Sequence, residues 1–304
     1  MTTTTAQPAA DETTEAASGA PKRGVAYRVV SRIGGGLMQV FLVLVALLWL
    51  TPTVGLFIAS LRSSQDTASS GWWTALTNLS ELSFANYAKV LENDRIVESL
   101  WNTVLISVPS TVLVILLAAG AAYAFAWMDF PGRDWLFLIV VALIVVPIQV
   151  GLIPDAQIFG ALGIFGTVTA AILFHVAFGL PFAIFLLRNF FIGIPRDLLE
   201  AARMDGGTEF TIFRKVILPL GWPAIASLAI FQFLWVWNDL LVAQVFAGSG
   251  GAPITVALRE QTRAFGSNID VIAPGVFLSM VVPLIVFFAF QRYFVQGVLA
   301  GSVK

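Results

Sequence analysis

The chain has 304 residues, 58% of them hydrophobic and only 12% charged, with a mean hydropathy of +0.87. A soluble domain carries about 25% charged residues, so this composition excludes an ordinary soluble enzyme and points to a polytopic membrane protein. A net charge of −1 gives no basis for nucleic-acid binding; the absence of cysteine removes disulfides, thiol catalysis and cysteine-ligated metals; and one histidine, His175, leaves no imidazole cluster for a metal site.

In chain order, residues 1–30 read as a disordered polar tail and 31–304 as one transmembrane domain. Met1–Pro21 is Thr/Ala-rich and acidic through Asp11, Glu12 and Glu15, with no positive patch leading directly into a short apolar core, so a secretory signal is not expected. Lys22, Arg23, Arg28 and Arg32 precede an apolar run too long for a signal peptide.

Six uncharged runs follow, delimited by the charges that flank them, and give expected spans of about 33–61, 101–128, 135–154, 166–188, 220–246 and 271–291. Each supplies the roughly 20 residues a helix needs to cross about 30 Å of hydrocarbon, and the alternation of barrel strands is missing. The expected fold is therefore an all-α integral membrane protein with six transmembrane helices. Twelve of the 17 Lys and Arg residues fall on one side if both termini are cytoplasmic; Arg62, Lys89, Arg95, Arg259 and Arg263 fall on the other. That bias orients the chain by the positive-inside rule. Of the outer loops, Arg62–Ser99 carries aromatic residues and an acid-rich stretch, which predicts short amphipathic helices on the outer surface, and Gly248–Asp270 reads as a lid or docking loop.

The same bias places Ile194–Pro223 in the cytoplasm. Pro195 opens a helix at little cost because the first turn needs no N–H, and Asp197 and Glu200 sit where the helix dipole favours negative charge. Gly206 or Gly207 can end it in a left-handed turn, and Thr208 can cap a second helix carrying Phe210, Phe213 and Ile217 on one face. Ala201 and Ala202 leave the first helix flat enough for another protein to approach, with Glu200, Arg203 and Asp205 as polar contacts. The plainer alternative, a surface helix with a solvated face, stays open on these residues alone.

EAARMDGGTEFTIFRKVILPLGWP resembles the signature loop of permease subunits of bacterial binding-protein-dependent ABC importers: Glu200, Ala201, Ala202, Asp205, Gly206, Phe213, Leu218, Pro219 and Pro223 stand at the family's anchor positions, and Gly207 replaces the commoner Ala. WVWNDLL at Trp235–Leu241 and the tail from Gln291 to Lys304 are similar to the smaller permease of maltose and α-glucoside transporters. The resemblance implies the type I ABC importer permease fold, a core at about 96–292 and a coupling loop at 194–219. It also implies that Glu200, Ala201, Ala202, Arg203, Asp205 and Gly206 contact a cytoplasmic ATP-binding subunit dimer. A second permease, an extracytoplasmic sugar-binding protein and a sugar such as maltose or trehalose complete the implied assembly in the bacterial cytoplasmic membrane. No phosphate loop of the GxxxxGK[ST] kind is present, so ATP hydrolysis belongs to the partner and no cofactor, metal or catalytic residue is expected.

For the substrate pathway the candidates are Gln232, Trp235, Asn238 and Asp239. Spacings of three and four put Gln232, Trp235 and Asp239 on one helix face, and a carboxylate at membrane depth is costly unless it faces a cavity or a partner. Asp239 as the cap of a broken helix is the competing reading. His175 and Gln149, in spans that Pro181 and Pro147 can kink, read more readily as interhelical hydrogen-bonding groups, and Phe277, Phe287, Phe288 and Phe290 as a packing or lipid-facing stripe. An importer of another solute, such as a glycerol phosphodiester, is the nearest alternative. An ion-coupled secondary transporter would call for more intramembrane acids, and a membrane-embedded enzyme for a convergent catalytic set that the chain lacks.

Overall fold

The computed structural model describes residues 25–263 and 268–300. The expected tail up to residue 24, residues 264–267 of the second outer loop and residues 301–304 lie outside them. All regular elements among the described residues are helical: α1 (Val25–Ser60), α2 (Ser64–Ser69), α3 (Ala85–Leu91), α4 (Asp94–Trp127), α5 (Arg133–Leu143), α6 (Ile148–Ala161), α7 (Val168–Phe191), α8 (Arg196–Met204), α9 (Glu209–Ile212), α10 (Leu218–Trp237), α11 (Leu241–Phe246), α12 (Ile254–Arg263) and α13 (Ile269–Ala300). Five stretches are long and apolar enough to cross a bilayer: Met38–Ser60, Asp94–Trp127, Val168–Phe191, Glu209–Trp237 and Ile269–Gln291. A sixth exists if α5 and α6 count as one span bent by 103°.

That bend corrects the expectation of one continuous third span over 135–154. The helical ladder stops after Leu143 and restarts at Ile148, with Pro147 at the break. Pro147 has no N–H to donate and disfavours helical backbone at the residue before it, and here the ladder breaks. The fifth span is shorter than expected for a related reason. Instead of running to residue 246, α10 ends at Trp237, and α11 is a separate short helix after Asn238. By contrast, α7 passes through Pro181 without interruption.

Contacts divide the chain after Val54. In the first unit the described part is the rod of α1, whose Leu47, Leu48 and Trp49 are exposed. In the second unit α10 is central: it packs on α4, α7 and α13, while α4 lies most extensively along α7. Ala118, Ala119 and Ala122 of α4 and Ala183 of α7 are all buried. Small side chains are what lets apolar helices approach closely where lipid tails compete on equal terms with Leu. One core cluster joins these helices to the loop that carries α8 through Leu187, Phe191, Leu199, Ile212 and Ile217. A second gathers Phe174, Val242, Ala243 and Phe246 around α7 and α11.

The segment after α1 is organised by one buried cation. Arg62 is fully buried and donates to Glu81 Oε2 at 2.9 Å, to the Asp66 carbonyl at 3.0 Å, to the Ser70 and Gly71 carbonyls at 3.2 Å each, and to Ser70 Oγ at 2.6 Å. Five donors in a rigid fork suit such a cradle, and α2 together with the single turns Trp72–Leu76 and Leu79–Glu81 wrap around it.

Candidate functional site: a cytoplasmic docking helix and a membrane cavity

Pro195 immediately precedes α8, and Asp197 lies in its first turn, opposite in charge to the helix N-terminus. At the other end Gly206 adopts φ +81°, a left-handed conformation that a side chain would strain, and the Gly207 N–H closes the turn on the Ala202 carbonyl at 3.0 Å. Thr208 caps α9 by accepting the Thr211 N–H. α9 then continues through one wide π turn, Phe213–Ile217, into α10. The expected second short helix is thus the entry to the fifth span, and Pro219 and Pro223 lie in the opening turns of α10.

α8 is two-sided. Leu199 is fully buried in the bundle core, while Asp197, Ala201, Met204 and Asp205 are exposed. Met204 is 89% exposed and Phe210, just beyond the turn, 69%. Glu200 stays on the exposed side with Arg196 at 3.0 Å. Ala202 is half-buried against the core, and Arg203, itself exposed, pairs with Glu209 at 3.0 Å and donates to the Trp127 carbonyl at 3.4 Å. Hydrogen bonding to Glu209 holds the Arg203 guanidinium above its ordinary range, so it is charged at any physiological pH. The expected set therefore divides into an outward group, Glu200, Ala201, Asp205 and Gly206, and two residues tied to neighbouring elements, Ala202 by packing and Arg203 by its bonds to Glu209 and Trp127. Met204, Tyr123 and Glu209 were not anticipated, and Phe210, expected on one face with Phe213 and Ile217, is exposed where Ile217 is fully buried. Met204 and Phe210 carry a sequence signal, apolar residues on an otherwise charged insert; Tyr123 carries none.

The pathway candidates also divide. Gln232 is buried with its Nε2 unpartnered, and it lines a cavity of about 250 Å³ with Phe178, Gly179, Phe182, Phe231 and Trp235. A Cβ at Gly179 would stand 2.7 Å from Gln232 Nε2, so only glycine leaves the amide its place. Asn238 and Asp239, one turn on, bond to their own backbone. Asn238 Nδ2 donates to the Leu234 carbonyl at 2.8 Å, and the Asp239 carboxylate accepts the N–H groups of Val242 and Ala243 at 3.3 and 2.9 Å, capping α11. His175 is fully buried with its ring edge-on to Trp235, centroids 5.4 Å apart. Gln149 is exposed on α6. Among the described residues no group of three or more metal-ligating side chains occurs.

A bundle of long apolar helices with a two-sided helix at one end and an aromatic-walled cavity holding one buried amide between α7 and α10 is consistent with a membrane transport component. The chain belongs to the family of binding-protein-dependent transport system inner membrane components, whose model matches residues 94–300. The osmoprotective compounds uptake permease of Synechocystis sp. is 48% identical over 272 residues, 88% of this chain and 91% of that protein. The α-glucoside transport system permease of Rhizobium meliloti is 52% identical over 226 residues, 72% of this chain and 60% of that protein. Among solved structures, a bacterial ABC transporter involved in the import of the acidic polysaccharide alginate matches with a TM-score of 0.74 at 22% identity, covering 90% of this chain and 99% of that one, which establishes the shared fold. The protein is thus a multi-pass inner-membrane component of an importer and not itself an enzyme, and the ion-coupled alternative is set aside.

Proposed function

We propose that the chain is one of two permease subunits that form the membrane path for a sugar of the oligosaccharide or α-glucoside class. An extracytoplasmic binding protein delivers the sugar, and a cytoplasmic ATPase dimer docking on α8 supplies the drive. The observation that carries the docking is the two-sidedness of α8: Leu199 anchors one side in the bundle while Glu200, Ala201, Met204 and Asp205 stand clear on the other. Relatedness to an α-glucoside permease supports the sugar class. Both termini are cytoplasmic in this reading, as the Lys and Arg distribution favours.

On the substrate side, the cavity between α7 and α10 faces the path. Its aromatic walls offer faces for sugar stacking, and Gln232 offers a buried amide for a hydroxyl. It is smaller than the roughly 300–1,000 Å³ of drug-sized pockets, so it takes one sugar ring of a longer chain. Gln232 and Trp235 are the contact residues, while Asn238 and Asp239 shape the helix end beside them.

The test is uptake of labelled maltose, trehalose and related α-glucosides into proteoliposomes holding the complete transporter. Uptake should require both ATP and the loaded binding protein. Uptake driven by an ion gradient without ATP, or by ATP without the binding protein, would refute the assignment.

A further inference from the structure

Glu209 opens the helix that runs through the π turn into the membrane as α10, and its carboxylate is shared between two other elements. It accepts the hydroxyl of Tyr123, on the cytoplasmic end of α4, and the guanidinium of Arg203, on α8, with Nε at 3.0 Å and Nη2 at 3.4 Å. Arg203 Nη2 also donates to the Trp127 carbonyl at 3.4 Å, a second tie to α4. Tyr123 is buried, and its ring packs 5.2 Å from that of Phe213, at the start of the π turn. Three elements of separate sequence origin therefore meet at one carboxylate.

The apolar contacts of α8 with the bundle, Leu199 and Ala202, hold the helix down but are non-directional. Hydrogen bonds with a charged partner are directional and about twice as strong as neutral ones, so they fix where along the bundle end the helix sits. Beside the bridge lies a polar cavity of about 580 Å³, lined by Trp127, Asp129, Arg133, Arg196, Arg203 and Glu209. Arg133 is already paired with Asp129 at 2.9 Å and Arg196 with Glu200 at 3.0 Å. The bridge can thus exchange partners with water on its Arg203 side without opening the core around Tyr123.

We propose that Glu209 is a positioning residue that carries displacement of the docking helix α8 to the cytoplasmic end of α4, and through α4 to α7, its main packing partner. The proposal rests on the reading of α8 as the ATPase contact. The π turn directly after Glu209 supplies the compliance such a device needs, because its wide ladder interrupts the regular one between the bridge and α10.

The test uses the complete transporter in proteoliposomes and compares Glu209→Gln, Tyr123→Phe and the double variant. Basal ATP hydrolysis, hydrolysis stimulated by loaded binding protein, and uptake are measured on each. Loss of one charge-assisted bond should lower stimulated hydrolysis and uptake about tenfold in either single variant, with assembly and basal hydrolysis unchanged. The double variant should be no worse than Glu209→Gln alone, because both changes break the same bridge. An unchanged ratio of stimulated to basal hydrolysis would overturn the proposal, as would losses that multiply in the double variant. Failure of even Tyr123→Phe to assemble would overturn it too, since the contact would then be structural glue. A wild-type chain that never associates with an ATPase would overturn the docking reading and this one together.

Discussion

The Oδ2 of Asp239 stands 3.6 Å from Nε2 of His175, a fully buried ring that finds no hydrogen-bond partner on either nitrogen. The same Oδ2 accepts the Ala243 N–H at 2.9 Å, so the carboxylate serves the start of α11 while lying just beyond hydrogen-bond reach of the imidazole. Asp239→Asn keeps an acceptor for the cap and removes the charge, whereas Asp239→Ala removes both. Asp239→Ala should therefore lower stability by about 1 kcal/mol, the cost of a lost cap, and Asp239→Asn by much less. Thermal unfolding of the purified complex measures this. If Asp239→Asn keeps full stability but loses uptake, the charge acts in the pathway and the cap is secondary.

Gly179 and Gln232 make the clearest test of the cavity. In Gly179→Ala the new methyl would meet Gln232 Nε2 at 2.7 Å and push the amide aside. Overpacking of this kind costs about 1–3 kcal/mol, and uptake should fall with it. Gln232→Met keeps the volume and removes the donor, so the apparent KM for sugar should rise about tenfold, the value of one buried hydrogen bond, with assembly intact. Wild-type uptake kinetics in Gln232→Met would remove the cavity from the path.

On the cytoplasmic side, Glu200→Lys reverses the charge on the exposed face of α8 and turns the 3.0 Å pair with Arg196 into a repulsion. Uptake should be lost while the protein stays in the membrane. Met204→Asp, at a position 89% exposed, should leave folding untouched and weaken co-purification with the ATPase. Normal uptake in both variants would show that the ATPase does not use this face.

Arg62→Ala tests the outer segment. It would strand Glu81 and the carbonyls of Asp66, Ser70 and Gly71, and breaking a buried pair from one side costs about 3–5 kcal/mol. The expected readout is rapid proteolytic cleavage between residues 62 and 99 in spheroplasts, with the transmembrane core preserved. Protection equal to wild type would mean the segment is held by other contacts.

The transmembrane helices are legible in the sequence because long apolar runs between charges have few other uses. Their interruptions are less so. Pro147 signals a break but not its 103° angle. The end of α10 was legible as the competing reading, since Asp239 stands three residues before Val242, the spacing of a capping carboxylate, yet the apolar runs on both sides of Asn238–Asp239 argued for continuation. In the cytoplasmic loop, Pro195, Gly206 and Thr208 mark the helix ends through local chemistry. The Tyr123–Glu209 contact joins residues 86 positions apart and has no local signature.

The break between α5 and α6 bears on how the protein is made. At 1.5 Å per residue, helices of 11 and 14 residues reach about 16 and 21 Å, so neither crosses about 30 Å of hydrocarbon alone, and if the pair forms one bent span the turn at Ile144–Pro147 falls within the bilayer. Irregular backbone at that depth is tolerated only against protein or water, and Val145 at the turn is 82% exposed in the isolated chain. An unpaired copy would offer the lipid a broken ladder, a flaw that membrane quality-control proteases are placed to find. Accumulation of the subunit should accordingly track co-expression of whatever covers that turn, so that stoichiometry is enforced by the fold itself.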